Sequence, residues 1–129
     1  TTGGKTQVFG DMKGDSRTAH IASCSSSTRG IMAGGESPSP SVVNTITYIE
    51  LATLGNGIDF GDLTAVRNDH DAVSSSTRGF IVAGANAPAK TNSIEFVTIA
   101  STGNGSDFGD LTQARSQPSS CSDVHGGLG

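Results

Sequence analysis

The densest group of residues able to do chemistry is Asp69-His70-Asp71. A histidine flanked by two carboxylates can act as a general base or contribute to a metal site. A second histidine, His20, takes the matching place in an earlier copy of the repeat described below, and Pro118 takes it in a later copy. An enzyme would need convergent acids or metal ligands that break the repeat, and only this group comes close. We therefore expect a solvated turn or strand end here, and no catalytic residues.

Two phrases resemble ligand-binding loops without having their spacing. Gly-Asn-Gly-Ile-Asp at 55–59 is similar to one turn of a calcium-binding nonapeptide, but such turns must follow one another every nine residues or so. The matching phrase here begins 48 residues later, at 103. The serine run at 25–28 lacks the glycine and lysine spacing of a phosphate loop. We expect turns at both places, and no metal or other cofactor.

The two cysteines, Cys24 and Cys121, fall at equivalent positions of the repeat, where the copy between them has Val73. Equivalent positions two units apart should lie beyond the Cα separation of about 7 Å that a disulfide allows. Valine at the third position favours a small buried hydrophobe. The sequence therefore predicts two free thiols with a structural role.

Composition excludes several classes of function. The 12 acidic and 8 basic residues give a net charge of −4, which argues against binding to a nucleic-acid backbone. No run of about 18 apolar residues is present, so we expect no membrane insertion. Hydrophobic residues make up 33% and aromatic residues 5%, with 18 glycines. Thin layers of small residues within one domain fit this composition better than one large core.

Three phrases recur in the same order along the chain, at spacings of 48 to 51 residues. Their copies lie at 9–12, 60–63 and 108–111 for Phe-Gly-Asp-Met/Leu, at 25–30 and 74–79 for Ser-Ser-Ser-Thr-Arg-Gly, and at 44–52 and 92–100 for a phrase that starts with asparagine. Ordered phrases at one period indicate an internal repeat that covers nearly the whole chain. We divide it into the end of one unit at 1–8, full units at 9–59 and 60–107, and a partial unit at 108–129.

Each unit is expected to contain four short strands, because β-branched runs alternate with glycine and serine turns. In the second unit these strands are expected from the Phe-Gly-Asp-Leu phrase to Val73, at 77–83, at 93–100 and around 107–108. In the third strand of the first unit, Ile46 and Tyr48 face one side while Ile49 and Leu51 face the other. Both faces should then be buried. The sequence predicts an all-β fold of four-stranded antiparallel units.

Two features are similar to the kelch type of β-propeller. The second strand of the first unit ends in the pair Gly34-Gly35, and an aromatic residue follows after a loop, at Tyr48 and Phe96. The second unit departs from the pattern with Gly84 followed by alanine, and the chain has no tryptophan. The resemblance implies a partial β-propeller built of four-stranded blades. The amino-acid sequence of the repeat is similar to that of kelch-like arrays in bacteriophage virion proteins and other large surface proteins.

A propeller typically has about 4–8 blades, whereas this sequence holds fewer than three units. We therefore expect its partners to be other blades of the same longer chain, or identical chains that close a ring head to tail. An open array of stacked units is the remaining possibility. The end of the partial unit, at 124–126, is expected to begin a second strand.

The arginines recur in every unit, which points to architecture. Arg29 and Arg78 precede an apolar strand, and Arg67 is one of three that follow the Phe-Gly-Asp phrases. We expect Asp62 and Asp110 to be their partners.

The loops between the second and third strands differ between units, and variable loops on a regular scaffold carry binding specificity. They read Glu-Ser-Pro-Ser-Pro-Ser at 36–41 and Ala-Asn-Ala-Pro-Ala-Lys-Thr at 85–91. The candidate binding residues are Glu36, Ser37, Asn86 and Lys90 in these loops, together with Asp69, His70 and Asp71.

The function expected from these features is that of a non-catalytic structural or receptor-binding module in a larger surface assembly, such as a phage appendage. Its ligand would be a glycan or protein of a host surface, and its location a virion or an extracellular surface. The alternative is an intracellular kelch-like scaffold for protein–protein contacts.

Overall fold

The computed structural model describes residues 3–12, 19–37 and 41–122. These residues form an all-β structure with ten strands. The strands are β1 (Ala22–Ser25), β2 (Arg29–Ala33), β3 (Thr45–Glu50), β4 (Ile58–Asp62), β5 (Asp71–Ser74), β6 (Arg78–Val82), β7 (Ala85–Asn86), β8 (Ala89–Lys90), β9 (Ser93–Thr98) and β10 (Ser106–Asp110). Within these ranges no helix has the length and apolar character needed to cross a membrane.

The strands form two four-stranded antiparallel sheets. Sheet I has the order β1-β2-β3-β4, and sheet II has the order β5-β6-β9-β10, so strands that follow one another along each unit are neighbours. The two-residue strands β7 and β8 pair separately, in a hairpin between β6 and β9. The predicted all-β fold of four-stranded antiparallel units is confirmed. The described residues do not close into a ring.

The bounds of two predicted strands differ from the structure. The Phe-Gly-Asp phrases at 60–62 and 108–110 belong to the fourth strands, β4 and β10, and the first strand of sheet II begins only at Asp71. Gly61 and Gly109 each have a φ of 148°, and both sheets shift register beside them. Glycine tolerates this conformation without strain. The phrase is therefore a glycine bulge in an outer strand, and a connection follows it.

The serine-rich phrases form the turns between the first and second strands. The Ser26 hydroxyl accepts the backbone N–H groups of Thr28 and Arg29, both at 3.2 Å. The Ser75 hydroxyl does the same for Thr77 and Arg78. A side-chain oxygen that satisfies two turn amides explains why this phrase recurs.

The two sheets stack face to face, and their contact is the core. Ile31 and Phe60 of sheet I are 1% and 3% exposed, and Ile81 and Val97 of sheet II are 0% and 3% exposed. The sheets approach closely at Gly79, where a Cβ would lie 2.7 Å from the Cys24 Sγ. A larger residue at 79 would therefore have to displace the Cys24 side chain.

The third strand of sheet I is covered on both sides, although not by all the expected residues. Ile46 is fully buried and Tyr48 is nearly so, and Thr47 on the opposite face is 7% exposed. Ile49 is half-buried. Leu51 lies beyond the end of the strand and is 43% exposed, so its expected burial was wrong.

Candidate functional site

The variable loops lie together on the side of the two sheets where the second strands end and the third strands begin. We call this region the loop edge (19–20, 34–37, 41–44, 68–69 and 83–92). The Asn68 side-chain amide donates to the Glu36 carboxylate. The Asn68 backbone exchanges two hydrogen bonds of 2.8 Å with Ala85, at the start of the hairpin. Asn68 therefore ties the loop of one unit to the loop of the next. The sequence did not single it out, since asparagine in a loop is common.

The predicted loop residues occupy different parts of this edge. Glu36 and Ser37 are half-buried, and the Ser37 N–H donates to the Ser41 carbonyl at 2.9 Å. Asn86 and Lys90 are exposed in the β7–β8 hairpin. The hairpin is thus the most accessible part of the loop edge.

Asp69, His70 and Asp71 do not converge on a common point. Asp69 accepts a hydrogen bond from the ring of His20 at the surface. His70 turns inward, and Asp71 accepts the backbone N–H of Ser120. The three side chains therefore have separate partners and do not form one cluster.

His70 is a buried structural residue, so its predicted solvated position was wrong. It is 7% exposed, and its Nε2 lies 2.9 Å from the Ala33 carbonyl oxygen, which fixes the proton on Nε2. Burial lowers the pKa of His70 below its usual range, and the nearby Arg67 guanidinium lowers it further. The ring is therefore held neutral between the two units.

The backbone corrects the alignment of the two histidines. His20, Asp69 and Gln117 have φ values of 58°, 50° and 54°, and they lie 49 and 48 residues apart. His20 is thus the equivalent of Asp69, and not of His70. The first copy has a longer segment after its Phe-Gly-Asp phrase than the second copy has, and this difference in length hid the relation in the sequence. Each unit places a different polar side chain at one left-handed position.

The main polar cluster of the molecule lies between the sheets, around Glu95 in β9. Glu95 is 1% exposed and Arg67 is 2% exposed, and they form an ion pair. The Glu95 carboxylate also accepts the Thr64 N–H at 2.9 Å and the Thr64 hydroxyl at 2.7 Å. Arg67 donates further to the Ala83 carbonyl at 3.2 Å and to the Ser93 hydroxyl at 3.1 Å. One buried carboxylate is thus clamped by two residues of the connection that follows sheet I.

This cluster corrects the predicted partners of the arginines. The partner of Arg67 is Glu95 and not Asp62, and Arg29 pairs with Glu50 at 2.8 Å. Burial lowers the pKa of Arg67, and the Glu95 carboxylate opposes that shift. A signal for this pair was present, because a charge in a strand covered on both faces needs a buried partner.

The Gly-Asn-Gly turns at 55–57 and 103–105 fasten each unit to the preceding Phe-Gly-Asp phrase. The Gly103 N–H donates to the Phe60 carbonyl and the Gly105 N–H to the Asp62 carbonyl, both at 2.8 Å. The Asn104 side chain accepts the Asp62 N–H at 3.0 Å. The turn at 55–57 makes the same three bonds to Phe-Gly-Asp at 9–11. The glycine and asparagine residues therefore serve contact between units.

Both cysteines are free, as predicted. Cys24 packs beneath the next unit, and this burial raises the pKa of its thiol to about 11. Cys121 is exposed. The equivalent positions differ because a second sheet covers only the first of them.

The described residues contain no group of three or more His, Cys, Asp or Glu side chains that could hold a metal ion. What the arrangement offers chemically is a stack of two sheets with exposed hydrogen-bonding groups on the hairpin. Such an edge can bind a polar ligand.

No known protein-family model matches this chain. No curated protein matches it at a significant level.

Proposed function

We propose that this chain is a non-catalytic module of stacked repeat units, a partial β-propeller of the kelch type, in a larger assembly on a virion or an extracellular surface. The observation that carries the proposal is the repeated contact between units. The Gly-Asn-Gly turns fasten two successive units with the same three hydrogen bonds. Contacts that recur at every period suit a structure that grows by adding units.

The ligand surface of this module is the loop edge, and its ligand class is a host-surface glycan. Asn86 and Lys90 offer an amide and an ammonium group on an exposed hairpin, and such groups hydrogen-bond to sugar hydroxyls. Most polar residues that recur from unit to unit form contacts within or between the units. Asn86 and Lys90, in contrast, differ between units.

The proposal can be tested on an array of host-surface glycans with the intact protein. We expect binding to a limited set of glycans and at least a tenfold loss in the Asn86→Ala/Lys90→Ala variant. Thr102→Ala, at the opposite edge of sheet II, serves as the matched control and should bind normally. If no glycan on the array is bound, a glycan ligand is contradicted. Binding of an intracellular protein through the same hairpin would favour the alternative function, a scaffold for protein–protein contacts.

A further inference from the structure

We infer that the face of sheet II that no described residue covers is a docking surface for a further repeat unit, and that Thr112 and Arg115 form its binding site for a glutamate carboxylate. This inference rests on the proposed stacking of units. It does not depend on any ligand of the loop edge.

The uncovered face carries an aromatic cluster whose counterpart in sheet I is buried. Phe80, Phe96 and Phe108 contact one another with ring centroids 5.1 to 6.3 Å apart. Phe108 is 57% exposed, whereas the equivalent Phe60 in sheet I is 3% exposed beneath sheet II. An exposed aromatic cluster of this kind marks an interaction surface.

The outer strand of sheet II also has an open position for a Gly-Asn-Gly turn. A Cβ on Gly61 would lie 2.4 Å from the Gly103 carbonyl oxygen, because the turn packs directly on it. Gly109 has the same φ of 148°, and nothing described lies within 4 Å of its Cβ position. The backbone is thus already shaped for a turn like the one at 103–105.

Thr112 and Arg115 repeat the residues that clamp Glu95. They lie 48 residues after Thr64 and Arg67. Both are exposed, in an open cleft of about 330 Å³. The cleft is lined by Val82, Leu111, Thr112, Arg115, Pro118 and Ser119. Within the part of the chain that the structure describes, no carboxylate pairs with Arg115.

The occupant that fits is a unit of the same repeat type with glutamate at the position of Glu95, from outside residues 1–129. A second copy of this chain does not provide it. Its Glu95 is 1% exposed against its own Arg67, and the equivalent residue of sheet I is Thr47. Both Gly-Asn-Gly turns of such a copy are also engaged within their own chain.

The test is an in-register duplication of residues 75–122, in which residues 1–122 are followed by residues 75–129. The inserted unit brings a second Glu95 to Thr112 and Arg115. Arg115→Gln is measured in the parent and in the duplicated chain by thermal unfolding, with Lys5→Gln as the control for loss of a cation. We expect Arg115→Gln to lower the Tm of the duplicated chain by about 5–10 °C and to leave the parent within about 2 °C. Glu95→Gln in the inserted unit should cause a similar fall, with little further loss in the double variant.

Thiol labelling gives a second readout that does not depend on Tm. With every copy of Cys121 replaced by serine, a cysteine introduced by Val73→Cys, at the position equivalent to Cys24, should react faster in the parent chain than in the duplicated chain, where the inserted Gly79 lies over it. The inference is overturned if the inserted unit stays unfolded, or if Arg115→Gln has equal effects in both chains. A parent chain that self-associates through Arg115 would overturn the choice of partner. None of these outcomes depends on glycan binding, so the two proposals fail separately.

Discussion

At the scale of single residues, the molecule depends on a few polar side chains buried between its sheets. Glu95 is a fully buried carboxylate, and Thr64 and Arg67 donate to it through three groups. A buried ion pair contributes little net stability relative to apolar packing, but removal of one partner leaves an uncompensated charge. The pair therefore joins β9 to the connection that follows sheet I.

We expect Glu95→Gln to lower the free energy of unfolding by about 3–5 kcal/mol, because Arg67 remains charged and buried. Glu50→Gln removes the carboxylate of a more exposed pair, whose side chain is 40% exposed, and should cost about 0–1 kcal/mol. Urea unfolding followed by circular dichroism measures both variants. Equal losses would show that burial of the Glu95 pair has no special role.

His70 should make stability depend on pH. Its pKa is lowered in the folded protein, so the unfolded chain takes up a proton near pH 6.5 while the folded chain resists it. Stability is therefore retained above about pH 6.5 and falls as the pH is lowered towards about 5. His70→Gln should remove this part of the pH dependence, and the surface variant His20→Gln should keep it. Urea unfolding midpoints at pH 5, 6 and 7 test the prediction. If the midpoint of His70→Gln changes with pH as steeply as that of the unmodified protein, the prediction is contradicted.

Only some of these residue-level features could be predicted from the sequence. The free thiols followed from the repeat, because equivalent positions two units apart are distant. The burial of His70 did not follow, because it depends on a contact with Ala33 in the preceding unit. Partners such as Glu95 for Arg67 are 28 residues apart and meet only through the stacking of two sheets.

At the scale of elements, the Gly-Asn-Gly turn of one unit packs against the glycine bulge of the preceding unit. Gly61 and Gly109 share a φ of 148°, but only Gly61 has a turn packed against it. The two positions therefore separate the cost of backbone strain from the cost of displacing the turn.

We expect both Gly61→Ala and Gly109→Ala to pay for an unfavourable backbone conformation, at about 1–3 kcal/mol. Gly61→Ala should cost about 1–3 kcal/mol more, since its Cβ would overlap the Gly103 carbonyl. Chemical denaturation of the two variants gives the difference directly. If Gly109→Ala is as destabilising as Gly61→Ala, the turn does not pack on the bulge.

The sequence predicted the four strands of each unit because alternation of β-branched runs and turns is a local property. It placed the Phe-Gly-Asp phrase at 60–62 in the first strand, although this phrase belongs to the fourth strand, whereas the fourth strand predicted around 107–108 lies within β10. The short β7–β8 hairpin was also missed, because its strands have only two residues each. Bulges and hairpins of this size have no periodicity to detect.

At the scale of the whole molecule, two units stack through an apolar contact, a clamped carboxylate and a turn on a bulge. The same turn contact recurs one period earlier, on residues 9–11. The turn contact between one unit and the next is therefore repeated, and at 103–105 it requires the two sheets to stack as described.

Native-state hydrogen exchange of the full chain, measured by NMR, tests that claim most directly. The amides of Gly103 and Gly105 donate to carbonyls of sheet I, and Gly55 and Gly57 donate to residues 9–11. We expect the Gly103 and Gly105 amides to exchange as slowly as those of β9, because they open only when the sheets separate. Rapid exchange at Gly103 and Gly105, with β6 and β9 still protected, would show that the sheets do not stack as described.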